Sequence, residues 1–145
     1  MAMNILTRDF GEMNIDESTI LEFPAGIIGF EEVKRYTLIS PLGEDKFPRW
    51  LQSVEAKEPC FVVYDPMEMY PDYKFEISDE EMELLKLNQD TPYRCLAVAI
   101  VPEDYRKTTI NLRCPIVVNI KEGIAAQIIV SEPYDFKVPV YAEED

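Results

Sequence analysis

The sequence predicts a mainly β fold: a small antiparallel β-barrel-like single domain with one short helix, spanning residues 1–145. Three observations carry that expectation. Apolar positions alternate over short runs that turn-forming residues interrupt, which is the period of strands. Most of the eleven prolines sit at the ends of those runs, as at Pro24, Pro41, Pro59, Pro66, Pro92, Pro102 and Pro115, where a missing N–H removes no ladder hydrogen bond. Only one segment carries a strong helix-start signal.

In chain order the strand runs are residues 19–23, 35–40, 49–54, 60–64, 94–101, 108–113, 116–121 and 124–130. The last two face each other across Glu122-Gly123 and read as a hairpin. The helix is predicted over 79–87. Ser78 and Glu81 form an S-x-x-E capping box, Ile77 can staple against Met82, and Asp79, Glu80 and Glu81 lie at the positive end of the macrodipole. Met82 and Leu85 are then expected to face the sheet. So many short strands must close or be covered to protect their edges, hence the barrel. A chain of 145 residues can bury about two thirds of the surface it exposes when unfolded, enough for one core. The acidic residues 143–145 read as a frayed terminus.

Charge is the unusual feature. Twenty-eight acidic against fourteen basic residues give a formal net charge of -14, which repels phosphate backbones and speeds encounter with basic proteins. Direct nucleic-acid binding is therefore not expected, including by a barrel of the OB kind. Residues 1–10 lack the basic start and apolar run of a signal peptide, and no apolar run reaches the ~18 residues of a membrane span. A cytoplasmic protein without membrane contact is expected. Cys60, Cys95 and Cys114, an odd number in apolar or strand-like settings, read as buried free thiols.

The chain has no histidine, which excludes Ser-His-Asp and Cys-His catalysis and the HExxH zinc site. No phosphate-binding glycine loop is present, and Gly26-Ile27-Ile28-Gly29 reads as a tight turn packing Ile27, Ile28 and Phe30 into the core. Asp65, Asp72, Glu103 and Asp104 are the loop carboxylates that a β-barrel hydrolase acting on a small carbohydrate would draw on, but nothing in their spacing pairs them. Asp65, Glu68 and Asp72 lack the ligand order and glycine of an EF-hand. Neither cofactor nor metal is expected. Residues 65–73 read as a loop whose two methionines and two tyrosines are interface-forming types.

Several segments together resemble the flagellar assembly factor FliW family. Phe23-Pro24-Ala25-Gly26-Ile27-Ile28-Gly29-Phe30 with Tyr36-Thr37-Leu38 is similar to the family's opening signature. Leu51-Gln52-Ser53, Phe61-Val62-Val63-Tyr64-Asp65-Pro66, Pro71-Asp72-Tyr73, and the run from Ile110 to Asn119 follow in order, with Gln127 matching a glutamine of the next strand. Cys114 stands where the family tends to have alanine, and Ala126 where it often has a basic residue. The resemblance implies a β-barrel-like, non-catalytic protein that binds flagellin and the translational regulator CsrA, relieving repression of flagellin mRNA, and that is a monomer when free. Asp65, Met69, Tyr70, Asp72 and Tyr73 are the expected protein-binding residues, with Asn111 and Asn119 as second choices. For the two asparagines, hydrogen bonding at turns or strand ends is the competing role.

Overall fold

The computed structural model describes residues 1–43 and 46–141, so the terminal segment 143–145 lies outside the described residues. Eleven strands run in chain order: β1 (Ala2–Leu6), β2 (Glu12–Asp16), β3 (Ile20–Glu22), β4 (Arg35–Ile39), β5 (Arg49–Ser53), β6 (Cys60–Tyr64), β7 (Tyr93–Ile100), β8 (Thr109–Ile110), β9 (Ile116–Asn119), β10 (Ile124–Gln127) and β11 (Val138–Pro139). Helices α1 (Pro66–Met69) and α2 (Asp79–Leu84) lie between β6 and β7.

Strands β3 to β7, β9 and β10 close into a seven-stranded barrel, because β7 pairs with both β6 and β9. The mainly β expectation is met. One seam differs from the antiparallel pattern: β3 and β10 pair in parallel at Ile124 and Glu22, and the Glu22 amide donates to the Gly123 carbonyl at 2.8 Å.

The period of two explains the filling. Leu21, Tyr36, Leu51, Val63, Leu96, Ile116, Val118 and Ala125 point inward from their strands, with Phe23 and Ile27 completing the interior. The alternate residues Cys95, Val117 and Ala126 face outward, where α2 and the following turn cover them with Met82, Leu85 and Leu87. A second outer layer joins Ala97 and Tyr64 to Tyr73, Ile110 and Leu112. Strand β7 reads as nearly continuous apolar sequence because both of its faces are covered.

Helix α2 keeps the expected capping box, with Ser78 and Glu81 bonding reciprocally. It ends three residues earlier than the predicted 79–87. Lys86 turns left-handed (φ 56°), and this lets Leu87 reach the same apolar layer as Leu85. A second helix, α1, forms where sequence suggested a loop. Asp65 caps it and Pro66 supplies a preset φ at its first position. The Gly26–Gly29 turn packs Ile27 inward, while Ile28 and Phe30 remain exposed, Phe30 edge-on to Phe61 at 5.4 Å. Strand β8 stops at Ile110, short of 113, because Asn111 begins a turn. Strand β10 stops at Gln127, yet the Ile128 and Val130 amides still donate to the Pro115 and Arg113 carbonyls.

The β1–β2 ribbon is an element that the sequence reading passed over, although Met3, Ile5, Met13 and Ile15 alternate in it. It docks on β5 through polar groups. The Arg8 amide donates to Gln52 Oε1, the Arg8 guanidinium to the Cys60 carbonyl at 2.7 Å, and Trp50 Nε1 to Asp9 Oδ2 at 3.1 Å. The hydrogen bond from Arg8 holds the Asp9 carboxyl below its ordinary value. A depressed folded-state pKa adds stability above the unfolded value of ~3.9, and that contribution is lost as pH falls through the folded value. Trp50, the single tryptophan, should therefore change emission as the protein is acidified below ~4. The step should vanish in Asp9→Asn, as a fluorescence titration of both proteins would read.

Burial pushes the Cys60 thiol up to about 11 and Cys95 up to about 12, and all three cysteines are free and buried. The expectation of buried free thiols holds.

Candidate functional site

The seven residues singled out from sequence take different roles. Asp65 leaves β6 half-buried and accepts the Met67 amide at 2.9 Å and the Glu68 amide at 3.3 Å, satisfying two donors that open α1. Met69 packs against the outer apolar layer, and the Tyr70 hydroxyl donates to the Pro139 carbonyl, tying α1 to β11. Asp72 is exposed.

Tyr73 is 4% exposed, edge-on to Tyr134 at 4.6 Å, and its hydroxyl donates to the Leu112 carbonyl at 2.7 Å. Burial raises its phenol pKa. It anchors the loop and offers no open face. Asn111 accepts the Arg113 and Cys114 amides through Oδ1 and shapes the turn into β9. Asn119 is fully buried. Its Nδ2 donates to the Leu85 and Lys86 carbonyls, and its Oδ1 accepts the Glu122 amide. Turn and helix-end hydrogen bonding is thus the work both asparagines do here.

Asp65 and Met69 meet Glu68, Phe47 and Tyr64 around a cavity of about 230 Å³ between α1 and the C-terminal segment. Tyr64 and Tyr141 also border a second cavity of about 390 Å³, on the outer face of β5 and β6. Sequence reading did not find this neighbour, in which Trp50 and Tyr105 stand. The signal of Trp50 is weak, because an outward aromatic on a strand reads the same as an inward one until topology is known, and Tyr105 lies in a turn between β7 and β8 with no pattern of its own.

Two of the four loop carboxylates, Asp65 and Asp104, are engaged in local hydrogen bonds. Asp65 caps α1, and Asp104 accepts the Arg106 amide and pairs with its guanidinium at 3.0 Å. Among the described residues there is no cluster of three or more potential metal ligands. Among the described residues no helix is long and apolar enough to cross a membrane.

Fold and surface define a class: a small closed β-barrel whose outer faces carry an N-terminal ribbon, two short helices and an aromatic surface. The model of the family described as FliW protein matches residues 4–140, and the chain belongs to that family. It is 40% identical over 127 residues to the flagellar assembly factor FliW of Ruminiclostridium cellulolyticum, covering 88% of this chain and 86% of that protein. It is 34% identical to that of Natranaerobius thermophilus, covering 98% and 95%. A crystal structure of the flagellar assembly factor FliW superposes with a TM-score of 0.90 at 28% identity, covering 99% of this chain and all of that one.

Proposed function

We propose that the chain is a cytoplasmic, stoichiometric protein-binding switch of flagellar assembly, which holds flagellin and antagonises CsrA so that repression of flagellin mRNA is relieved. Membership of the FliW family over residues 4–140 is the observation that carries this reading. The net charge of -14 supports a basic regulator as one partner and argues against direct binding of RNA. The switch needs no catalytic step and no cofactor. When two proteins compete for one binder through overlapping or coupled surfaces, the more abundant sets the free concentration of the other. The free protein is a monomer in this reading, and the chain acts as one unit without membrane contact. In this reading the partner surface comprises Asp65, Met69, Tyr70 and Asp72; Tyr73 holds that loop from its buried side, Asn111 shapes the turn into β9, and Asn119 ties the end of α2 to the β9–β10 turn.

Titration calorimetry of the protein with CsrA, repeated after saturation with flagellin, tests the reading. CsrA should bind, and flagellin should weaken that binding at least tenfold. Absence of binding to either protein would overturn it.

A further inference from the structure

The two cavities adjoin at Tyr64 and Tyr141, which border both, and side by side they make a trough that spans from α1 to Trp50 on β5. Its walls are aromatic and already ordered. The Tyr64 and Tyr141 hydroxyls lie 3.4 Å apart, Tyr105 stands edge-on to Tyr141 at 5.7 Å, and Trp50 is held by Asp9 and by the Phe10 ring at 5.3 Å. Aromatic side chains fixed by one another lose little rotamer freedom when a partner lands on them. Tyr105 is 61% exposed and Val101 48%, an apolar surface that water covers in the free protein.

Charge and backbone narrow the occupant. One arginine lines the trough against three carboxylates, Asp9, Asp65 and Glu68, and that arginine, Arg8, is already bonded to Asp9. The chain as a whole carries a formal net charge of -14. A second copy of so acidic a chain would be repelled, whereas a cationic partner is attracted. A strand would need an open edge to pair with, and β11 beside the trough is two residues long, includes Pro139, and has that residue's carbonyl taken by Tyr70. Side-chain pockets without a pairing edge suit a helix.

We propose that this trough is the docking groove for a basic amphipathic helix of the protein partner, with apolar side chains seated on Trp50, Val101, Tyr105 and Tyr141 and lysines or arginines meeting Asp65 and Glu68. The proposal rests on the protein-binding reading above and locates its surface.

The probe is a synthetic helical peptide of leucine and lysine, free of aromatic residues, with its leucines in one stripe. A scrambled peptide of the same composition is the control. Trp50 emission reports the groove directly, being the chain's single tryptophan. The striped peptide should shift that emission and bind at least tenfold tighter than the scramble. The paired change Val101→Ser with Tyr105→Ala, at exposed positions, should weaken it at least tenfold, and Ile129→Ala, exposed outside the trough, should leave it unchanged.

Equal binding of both peptides, or equal binding to wild type and the paired variant, would overturn the proposal. CsrA and flagellin titrated against the same variants separate the two claims. If both bind wild type and the paired variant alike, the groove is wrong and the switch stands. If neither binds wild type while the striped peptide behaves as described, the groove stands and the partner assignment falls.

Discussion

Gly26→Ala is expected to destabilise the protein by roughly 2–4 kcal/mol, the sum of left-handed strain at a non-glycine residue and overpacking against a neighbour that cannot yield. Gly26 has φ +70°, and a Cβ there would lie 2.5 Å from the Glu31 Cα and 2.6 Å from its carbonyl oxygen. These are backbone atoms, so no rotamer change relieves the contact. The strain would pass into the barrel. The Gly26 amide donates to the Phe23 carbonyl at 2.8 Å, Ile27 fills the core, and the Ile28 amide donates to Gln127 Oε1 on β10. Moving the turn therefore disturbs the interior and the loop's tie to β10 together. Against a total stability of ~5–15 kcal/mol, the melting temperature should fall on the order of 10 °C. Gly29→Ala is the internal comparison. Gly29 also has positive φ, but a Cβ there meets nothing within 4 Å, so only conformational strain of about 1 kcal/mol is expected. Equal melting of the two variants by calorimetry would remove the backbone contact as the cause.

The same turn shows what the sequence could and could not disclose. Two glycines three apart announced a tight bend, and the bend is there. Which of Ile27, Ile28 and Phe30 would point inward depended on where the bend sat over the barrel mouth, a matter of topology that local sequence does not encode. The strands of the barrel were legible as short runs bounded by turn-forming residues, most of them alternating and β7 nearly continuous in its apolar residues. The β1–β2 ribbon alternates too, but no glycine-asparagine turn announces it, and what fastens it is a set of long-range hydrogen bonds from Arg8 to Gln52 and Cys60. Helix α1 was hidden for a different reason. Four residues are too few for periodicity, so Asp65 followed by Pro66 was its whole signal. At the candidate site, residue type suggested interface chemistry, yet type alone could not separate Tyr73, which is buried, from Tyr70 and Asp72, which border solvent.

Replacing Asn119 tests whether its side chain ties α2 to the barrel. Three hydrogen bonds converge on this residue in a fully buried position: two to the carbonyls of Leu85 and Lys86, where α2 ends, and one from the Glu122 amide in the β9–β10 turn. Asn119→Ala leaves those groups without partners, and the expected cost is about 2–4 kcal/mol, since each stranded buried group costs ~1–3 kcal/mol and water can recover part of it. Asn119→Asp separates hydrogen bonding from size. An ionised carboxylate still accepts from Glu122, but it meets two carbonyl oxygens with no proton to offer, so its folded-state pKa must rise above ~3.9. A raised folded-state pKa means that the protonated variant is the stable one. Its stability is fully present below the unfolded value and drains away as pH climbs through the folded value. Urea unfolding at several pH values should therefore show the gap between Asn119→Asp and wild type widening from pH 4 to pH 7, while the gap for Asn119→Ala, which has no proton to lose, stays level. A gap for the aspartate variant that did not depend on pH would mean that the Leu85 and Lys86 carbonyls do not govern this site. The junction between α2 and the barrel would then rest on the apolar contacts of Leu85 and Leu87 alone.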